Sequence, residues 1–98
     1  MRYEQEIFIP ANHPSLEGHF PGHPVVPGVV ILDELRRALQ GCREGFAIAG
    51  LTQVKFNTPL LPGESLRAEF EDRAGRVAFR AFCVDRLITQ GEFVIRQA

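Results

Sequence analysis

The sequence predicts an α+β domain in which an antiparallel sheet wraps around one helix. A single stretch, residues 28–41, has apolar residues at helical spacing. Most of the chain after Gly45 instead alternates between polar and apolar residues, which is typical of strands. The length of 98 residues suits one domain. We therefore assign residues 1–98 to a single domain, and we expect its thin core to favour association into an oligomer.

A proline-rich loop separates the first predicted strand from the helix. The strand is expected over 3–9, where polar and apolar residues alternate. Five of the seven prolines lie between Pro10 and Pro27, so this segment cannot form a regular element. Pro27 suits the first turn of a helix, and Gly41 suits its end. The apolar residues 30–31 leave the first turns with almost no polar side, which predicts deep burial there.

Four further strands are predicted after the helix. Large apolar residues share one parity in the first of them, which predicts that they lie on one face: Phe46, Ile48, Val54 and Phe56. A loop that contains two prolines and a glycine follows this strand. The sequence DRAGR, residues 72–76, predicts a hairpin turn. The four strands are expected at 46–56, 64–72, 77–85 and 87–96.

Composition and charge exclude several classes of function. The net charge is −1 and the 11 Lys and Arg residues are scattered, so no basic field favours nucleic acid. No apolar run approaches the roughly 20 residues that span a bilayer, and the N-terminal residues lack the apolar core of a signal peptide. Cys42 and Cys83 form no C-x-x-C pair, and we interpret them as reduced thiols. We expect a cytoplasmic protein with no membrane or nucleic-acid partner.

The loop and the start of the helix hold groups suited to removing a proton next to a carbonyl. His19 lies among prolines that fix the backbone, and imidazole titrates near neutral pH, which suits a general base or acid. Gly28 follows Pro27, where a helix N-terminus presents N–H groups that no helical carbonyl accepts. Asp33 adds a carboxylate to a mostly apolar segment. Base, oxyanion donor and acid are the parts that such a reaction needs.

Each of these residues also has a purely structural interpretation. A histidine in a proline-rich loop can simply form structural hydrogen bonds. Asp33 can form a surface ion pair with Arg36 or Arg37, three and four positions further on. The three histidines have the spacing H-x5-H-x3-H, which matches no standard ligand set, so we predict no metal site: His13, His19 and His23. From the residues one by one, the function stays open.

Taken together, the same residues resemble a known signature. The segment GHFPGHPVVPGVVILDE, residues 18–34, resembles the motif of the 3-hydroxyacyl-[acyl carrier protein] dehydratases of fatty-acid synthesis. In that family H-F-P-x-x-P-x-x-P-G leads into a helix that carries Asp or Glu fourteen residues after the first His, and every fixed position is filled here. The segment VKFNTPLLPGESL, residues 54–66, is similar to the family's second, looser block. The order of elements agrees over nearly the whole chain.

The resemblance implies a fold and a reaction. The fold is a hot-dog fold, an antiparallel sheet wrapped around one long helix, paired as a homodimer with shared active sites. The reaction is the reversible loss of water from a 3-hydroxyacyl thioester on acyl carrier protein, which gives the trans-2-enoyl thioester. It needs no cofactor and no metal.

The resemblance also implies roles for individual residues. By position, His19 is the base on the C2 proton, Asp33 acts on the departing 3-hydroxyl, and the Gly28 N–H polarises the thioester carbonyl. His23 falls on a variable position and inherits no role. The substrate site would also be lined by Phe20, Pro27 and Val29.

Three features depart from the usual pattern of the family. The chain is shorter than typical fatty-acid dehydratases and is similar in size to the small dehydratases of polyene or polyketide assembly lines. The acid is Asp33, where many members have Glu; the dehydratase/isomerase branch also has Asp. The helix is more charged than is usual, and a pair between Arg37 and Asp33 would favour an orienting carboxylate over a proton donor.

Two other functions are compatible with the same fold. A thioesterase usually lacks the H-F-P-x-x-P-x-x-P-G loop, and a non-catalytic acyl-binding subunit has no need of an intact His19 and Asp33. Carrier proteins are usually acidic, so basic side chains are docking candidates, although each can be an ordinary solvated side chain: Arg36, Arg37, Arg43 and Lys55.

Overall fold

In the part of the chain that the structure describes, one helix packs against a five-stranded antiparallel sheet. The computed structural model describes residues 2–9, 25–42 and 44–97. The elements in chain order are β1 (Arg2–Phe8), α1 (Gly28–Cys42), β2 (Phe46–Phe56), β3 (Ser65–Arg73), β4 (Arg76–Cys83) and β5 (Arg86–Gln97). Every predicted element is present, with ends that differ by one or two residues. The described part of the chain contains no helix long and apolar enough to cross a membrane.

The order of strands in the sheet differs from their order in the chain. The sheet runs β1-β3-β4-β5-β2, so β2 lies at one edge and pairs with β5 rather than with β3. The chain therefore crosses from that edge to the middle of the sheet between β2 and β3. Residues 57–64 make this connection, and they reach the start of α1 on the way.

One face of the sheet packs on the helix and forms a single core. The apolar face of α1 supplies four buried side chains, of which Leu35 and Leu39 are fully buried. Val30 and Ile31 are also buried, as predicted, but Val29 beside them is 74% exposed. The sheet contributes buried residues mainly from its central strands: Leu66, Ala68, Phe70, Val77, Phe79, Ala81, Ile88 and Phe93.

Two bulges in β2 change which of its side chains face the helix. The register against β5 shifts between Ile48 and Gly50 and again between Thr52 and Lys55, each time by one extra residue on β2. A one-residue slip turns side chains to the other face, and a second slip turns them back. Phe56 therefore lies on the helix side of the sheet, opposite the buried Thr89, as its parity predicted.

Gly91 fills the position on β5 opposite the second bulge. A Cβ there would lie 2.9 Å from Cζ of Phe79 and 3.0 Å from Cα of Val54. We expect Gly91→Ala to lower the free energy of unfolding by about 1–3 kcal/mol, because the methyl group overpacks a filled space. Urea denaturation measures this. Gly50→Ala is the control, since a Cβ at that position meets nothing within 4 Å. Equal losses in the two variants would contradict the prediction.

Candidate active site

The structure places four of the predicted site residues on or beside α1. Pro27 precedes the helix, Gly28 and Val29 begin it, and Asp33 lies in its second turn. His19 and Phe20 fall within residues 10–24, outside the described residues, as do His13 and His23. The predicted absence of a metal site at the three histidines therefore concerns residues outside the described ranges.

The N-terminus of α1 presents donor groups. The Pro27 carbonyl accepts from the N–H of Val30 at 3.0 Å and of Ile31 at 3.3 Å, which closes the first turn. Among the described residues, the N–H groups of Gly28 and Val29 have no acceptor. The positive end of the helix dipole adds to their attraction for a negative oxygen. The arrangement can hold a developing oxyanion at this end of the helix.

The connection between β2 and β3 is hydrogen-bonded to the backbone just before the helix. The Val26 N–H donates to the Leu60 carbonyl at 2.8 Å, and Leu60 is fully buried. The Gly63 N–H donates to the Ile9 carbonyl at 3.0 Å, which ties the same connection to the end of β1. Residues of the second motif block therefore position the backbone just before Gly28.

Glu64 holds the turn of that connection in shape. Its carboxylate accepts from the Leu61 N–H at 2.8 Å, from Arg86 at 2.7 Å and from the Cys83 thiol at 3.4 Å. The Leu61 N–H is the main reason why the pKa of Glu64 is lowered, and Cys83 and Arg86 add to this. Glu64 is thus a structural residue of the loop between β2 and β3.

Phe56 lies against Gly28, a contact that the sequence analysis did not find. A Cβ built on Gly28 would be 2.6 Å from Cζ of Phe56 and 2.9 Å from Cε1. The ring reaches the helix from the edge strand β2 and is 53% exposed. In the sequence, Phe56 stands out only as the Phe of the second motif block. Its position beside the first block follows from the order of strands in the sheet.

Asp33 is ion-paired on the outer side of the helix. Its Oδ1 accepts from Nη2 of Arg36 at 2.7 Å and from Nε at 3.2 Å, and its Oδ2 is 3.3 Å from Nε of Arg37. The Asp33 side chain is 42% exposed. The surface ion pair considered from the sequence is therefore present, and it leaves the carboxylate accessible.

Gly28 and Asp33 do not converge within one chain. Five positions on an α-helix correspond to about 7.5 Å along the axis and about 140° around it. The carboxylate lies on the same side as the exposed Val29 and away from the core residues Leu35 and Leu39. The Gly28 N–H and the Asp33 carboxylate of one chain therefore lie on different parts of the helix.

The basic docking candidates differ in their contacts. Arg36 and Arg37 are engaged by Asp33, and Arg36 also donates to Gln40 at 2.9 Å. Lys55 is exposed on the edge strand β2 next to Phe56. Arg43 lies outside the described residues. Of the three described candidates, Lys55 is the one that has no contact with Asp33.

Comparison with known proteins identifies relatives among dehydratases. The chain matches the ApeI-like family model, ApeI dehydratase, over residues 1–92. It is 39% identical over 84 residues to the 3-hydroxyacyl-[acyl-carrier-protein] dehydratase FabZ of Thermus thermophilus, covering 71% of this chain and 59% of the relative. The FabZ of Haemophilus influenzae is 37% identical over 84 residues, covering 72% and 56%. The chain thus spans less than two thirds of the length of these relatives.

A solved structure confirms the hot-dog fold. The dehydratase heterocomplex ApeI:P from Xenorhabdus doucetiae superposes with a TM-score of 0.86 at 24% identity, covering 98% of this chain and 88% of that one. The helix and five-stranded antiparallel sheet agree with this fold, as the resemblance implied. Because the family model extends over nearly all of the chain, the chain belongs to the ApeI-like dehydratase family.

Proposed function

We propose that the protein removes water from 3-hydroxyacyl thioesters carried on acyl carrier protein and gives trans-2-enoyl thioesters, in fatty-acid or polyene/polyketide-type biosynthesis in the cytoplasm. The observation that carries this proposal is the complete motif from His19 to Asp33 in a chain of a dehydratase family. The donor end of α1 at Gly28 supports it. FabZ relatives, whose names state this substrate class, support it as well.

The proposed chemistry assigns one task to each group. The thioester oxygen accepts the Gly28 N–H, which stabilises the enolate that forms when His19 takes the C2 proton. The C3–O bond then breaks and the double bond forms between C2 and C3. The departing hydroxyl takes the proton from the His19 imidazolium and leaves as water. This balance requires no other reactant.

Asp33 has an orienting role in this proposal. Two guanidinium groups contact its carboxylate, and nearby positive charge favours the ionised form. An ionised carboxylate accepts a hydrogen bond from the 3-hydroxyl, directly or through a water, and holds the C3–O bond in position. The Gly28 donor makes the larger contribution, since loss of one oxyanion donor costs about 3–4 kcal/mol in enzymes where it has been tested.

A direct assay tests the proposal. The protein is incubated with the pantetheine thioesters of 3-hydroxybutyrate and crotonate, and the products are identified by mass spectrometry. We expect loss of one water from the first substrate and gain of one water by the second, because the reaction is reversible. Release of the free acid would indicate a thioesterase instead. No conversion of these or of longer acyl chains would indicate an acyl-binding subunit.

We further propose that two chains form a homodimer and share each active site. Gly28 and Asp33 lie on different sides of one helix, which favours a site completed by a carboxylate from a second chain. The edge strand β2 has a neighbour on one side only among the described strands, and such an edge can pair with another chain. The solved ApeI structure is named as a dehydratase heterocomplex, ApeI:P, so a protein of similar fold associates with another chain.

Mixing inactive chains tests the shared site. We expect His19→Ala and Asp33→Ala chains, unfolded together and refolded, to recover about one quarter of wild-type activity, because half the dimers are mixed and one of their two sites is intact. Turnover of 3-hydroxybutyryl-pantetheine measures this, and each variant refolded alone is the control. If native mass spectrometry detects mixed dimers and the mixture stays inactive, the shared site is ruled out.

The charge of the proposed substrate carrier suggests which residues it contacts. Acyl carrier protein is acidic, and Lys55 is an exposed cation on β2, next to Phe56 in the chain but on the other face of the sheet. The arginines paired with Asp33 are less available to a partner. Lys55 is therefore the strongest of the described docking candidates.

A further inference from the structure

The geometry points to Phe56 as the residue that sets specificity at C2 of the acyl group, which gives the enzyme a preference for 3-hydroxyacyl thioesters without a branch at C2. This inference rests on the proposed function. It goes beyond it by assigning a role to a residue of the second motif block and by narrowing the substrate class.

The ring of Phe56 occupies the space directly beside the Gly28 α-carbon. Three of its atoms, Cζ, Cε1 and Cε2, lie 2.6, 2.9 and 3.1 Å from the position that a Cβ on Gly28 would take. Because a Cβ lies about 1.5 Å from its α-carbon, as other single carbon–carbon bonds do, the far edge of the ring is in van der Waals contact with the glycine. A side chain at position 28 would require the ring to shift.

The backbone on both sides of Phe56 is held firmly. The Lys55 carbonyl accepts from the hydroxyl of the buried Thr89 at 2.7 Å, and the Asn57 N–H donates to the Ile88 carbonyl at 2.8 Å. The second bulge of β2, at Gln53 and Val54, returns Phe56 to the helix side of the sheet. Without that bulge the ring would point away from Gly28.

The ring itself is not a core residue. Phe56 is 53% exposed, whereas Phe70, Phe79 and Phe93 are at most 2% exposed. A large apolar side chain that is aimed by a fixed backbone and left half exposed beside donor N–H groups forms one wall of an open site.

The wall lies close to the reacting end of the substrate. An oxygen bound by the Gly28 N–H is about 2.9 Å from the nitrogen, which places C1 of the acyl group within roughly 5 Å of the glycine α-carbon. C2 is bonded to C1, so it also lies near the Phe56 ring. A methyl group on C2 competes with the ring for space, whereas a substituent at the far end of the acyl chain does not.

Kinetics with a pair of substrates test the inference. The values of kcat/KM are measured for 3-hydroxybutyryl- and 2-methyl-3-hydroxybutyryl-pantetheine with the wild type, Phe56→Leu and Phe56→Ala. We expect the wild type to favour the unbranched substrate by about tenfold or more, the range that one methyl group can produce in a pocket. Phe56→Ala should reduce that ratio to near one, with Phe56→Leu in between. The ratio of kcat/KM between 3-hydroxybutyryl- and 3-hydroxyoctanoyl-pantetheine should not change.

A matched control and two contradictory outcomes sharpen this test. Phe8 is also half exposed, at 60%, but lies on β1 at the opposite edge of the sheet, so Phe8→Ala should leave both ratios unchanged. A wild type that converts the unbranched substrate, with the same C2 ratio in Phe56→Ala, overturns the inference alone. A wild type that converts neither substrate overturns the proposed function and this inference with it.

The contact between Gly28 and Phe56 can also be tested by thermal stability, without an activity assay. In the wild-type background we expect Gly28→Ala to lower Tm, because the new methyl group meets the Phe56 ring. In the Phe56→Ala background it should raise Tm or leave it unchanged, because alanine favours a helix more than glycine does. A decrease of the same size in both backgrounds would show that the ring does not fill this space, and would overturn the inference.

Discussion

Replacement of His19 by alanine is expected to lower kcat/KM by about two to four orders of magnitude, the usual contribution of a general base. His19 occupies the first fixed position of the motif, fourteen residues before Asp33. Without its imidazole no group of the motif removes the C2 proton. Steady-state turnover of 3-hydroxybutyryl-pantetheine, with folding checked by circular dichroism, measures the loss.

His23 provides the matched control for this prediction. It lies in the same proline-rich segment, four residues further on, but at a variable position of the motif. His23→Ala should therefore retain activity within a few-fold of the wild type. Similar losses in the two variants would contradict the assignment of His19 as the base.

Asp33→Asn should lower kcat/KM by about two orders of magnitude, whereas Glu34→Gln should be tolerated. The amide keeps the shape of the Asp33 side chain but removes the negative charge that orients the 3-hydroxyl. Glu34 is the neighbouring carboxylate, about 100° away around the helix. Both variants can be compared in the same turnover assay. A severe loss in Glu34→Gln with a mild one in Asp33→Asn would reverse the assignment.

The ion pairs of Asp33 allow a second check of its role. They are partly exposed, and exposed pairs contribute about 0–1 kcal/mol each, so Asp33→Asn should leave the fold intact. Replacement of Arg36 or Arg37 by glutamine leaves the carboxylate but removes one of its contacts. Each should therefore cost less activity than Asp33→Asn does.

The limits of the helix and strands could be predicted closely from the sequence. Prolines and glycines mark the ends, and the apolar period is clear within α1 and within β3, β4 and β5. The pairing of β2 with β5 could not be predicted, because periodicity records which face a side chain occupies and not which strand lies beside it. The helix and the strands could thus be predicted from the sequence, whereas the order of the strands in the sheet could not.

The bulges of β2 were hidden for a related reason. Two one-residue insertions cancel, so Ile48 and Phe56 still share a parity and the alternation looks unbroken. Between the bulges the faces are exchanged, and Leu51 pairs with the buried Phe93 against the predicted parity. The contact of Phe56 with Gly28 depends on both bulges and on the strand order, so no local pattern could reveal it.

The candidate site was predicted in part. The motif placed Gly28 at the start of the helix and Asp33 one and a half turns later, and both are there. The two interpretations of Asp33, as a member of surface ion pairs and as a catalytic group, are compatible, because the pairs leave its carboxylate half exposed. That Gly28 and Asp33 lie on different sides of the helix follows from helical geometry once the limits of the helix are known.

The hydrogen bond between Val26 and Leu60 has a consequence for the order in which the protein folds. The Gly28 donor is held in place by a residue from the second half of the chain, and that half is anchored in turn by a pair 34 positions apart, Thr89 and Lys55. Tyr3 and Asp72, 69 positions apart, close the other edge of the sheet. Contacts of such separation form slowly, because the loop must close before they stabilise anything. We therefore expect the helix to form early and its N-terminus to take its final position once β2 and β5 have paired.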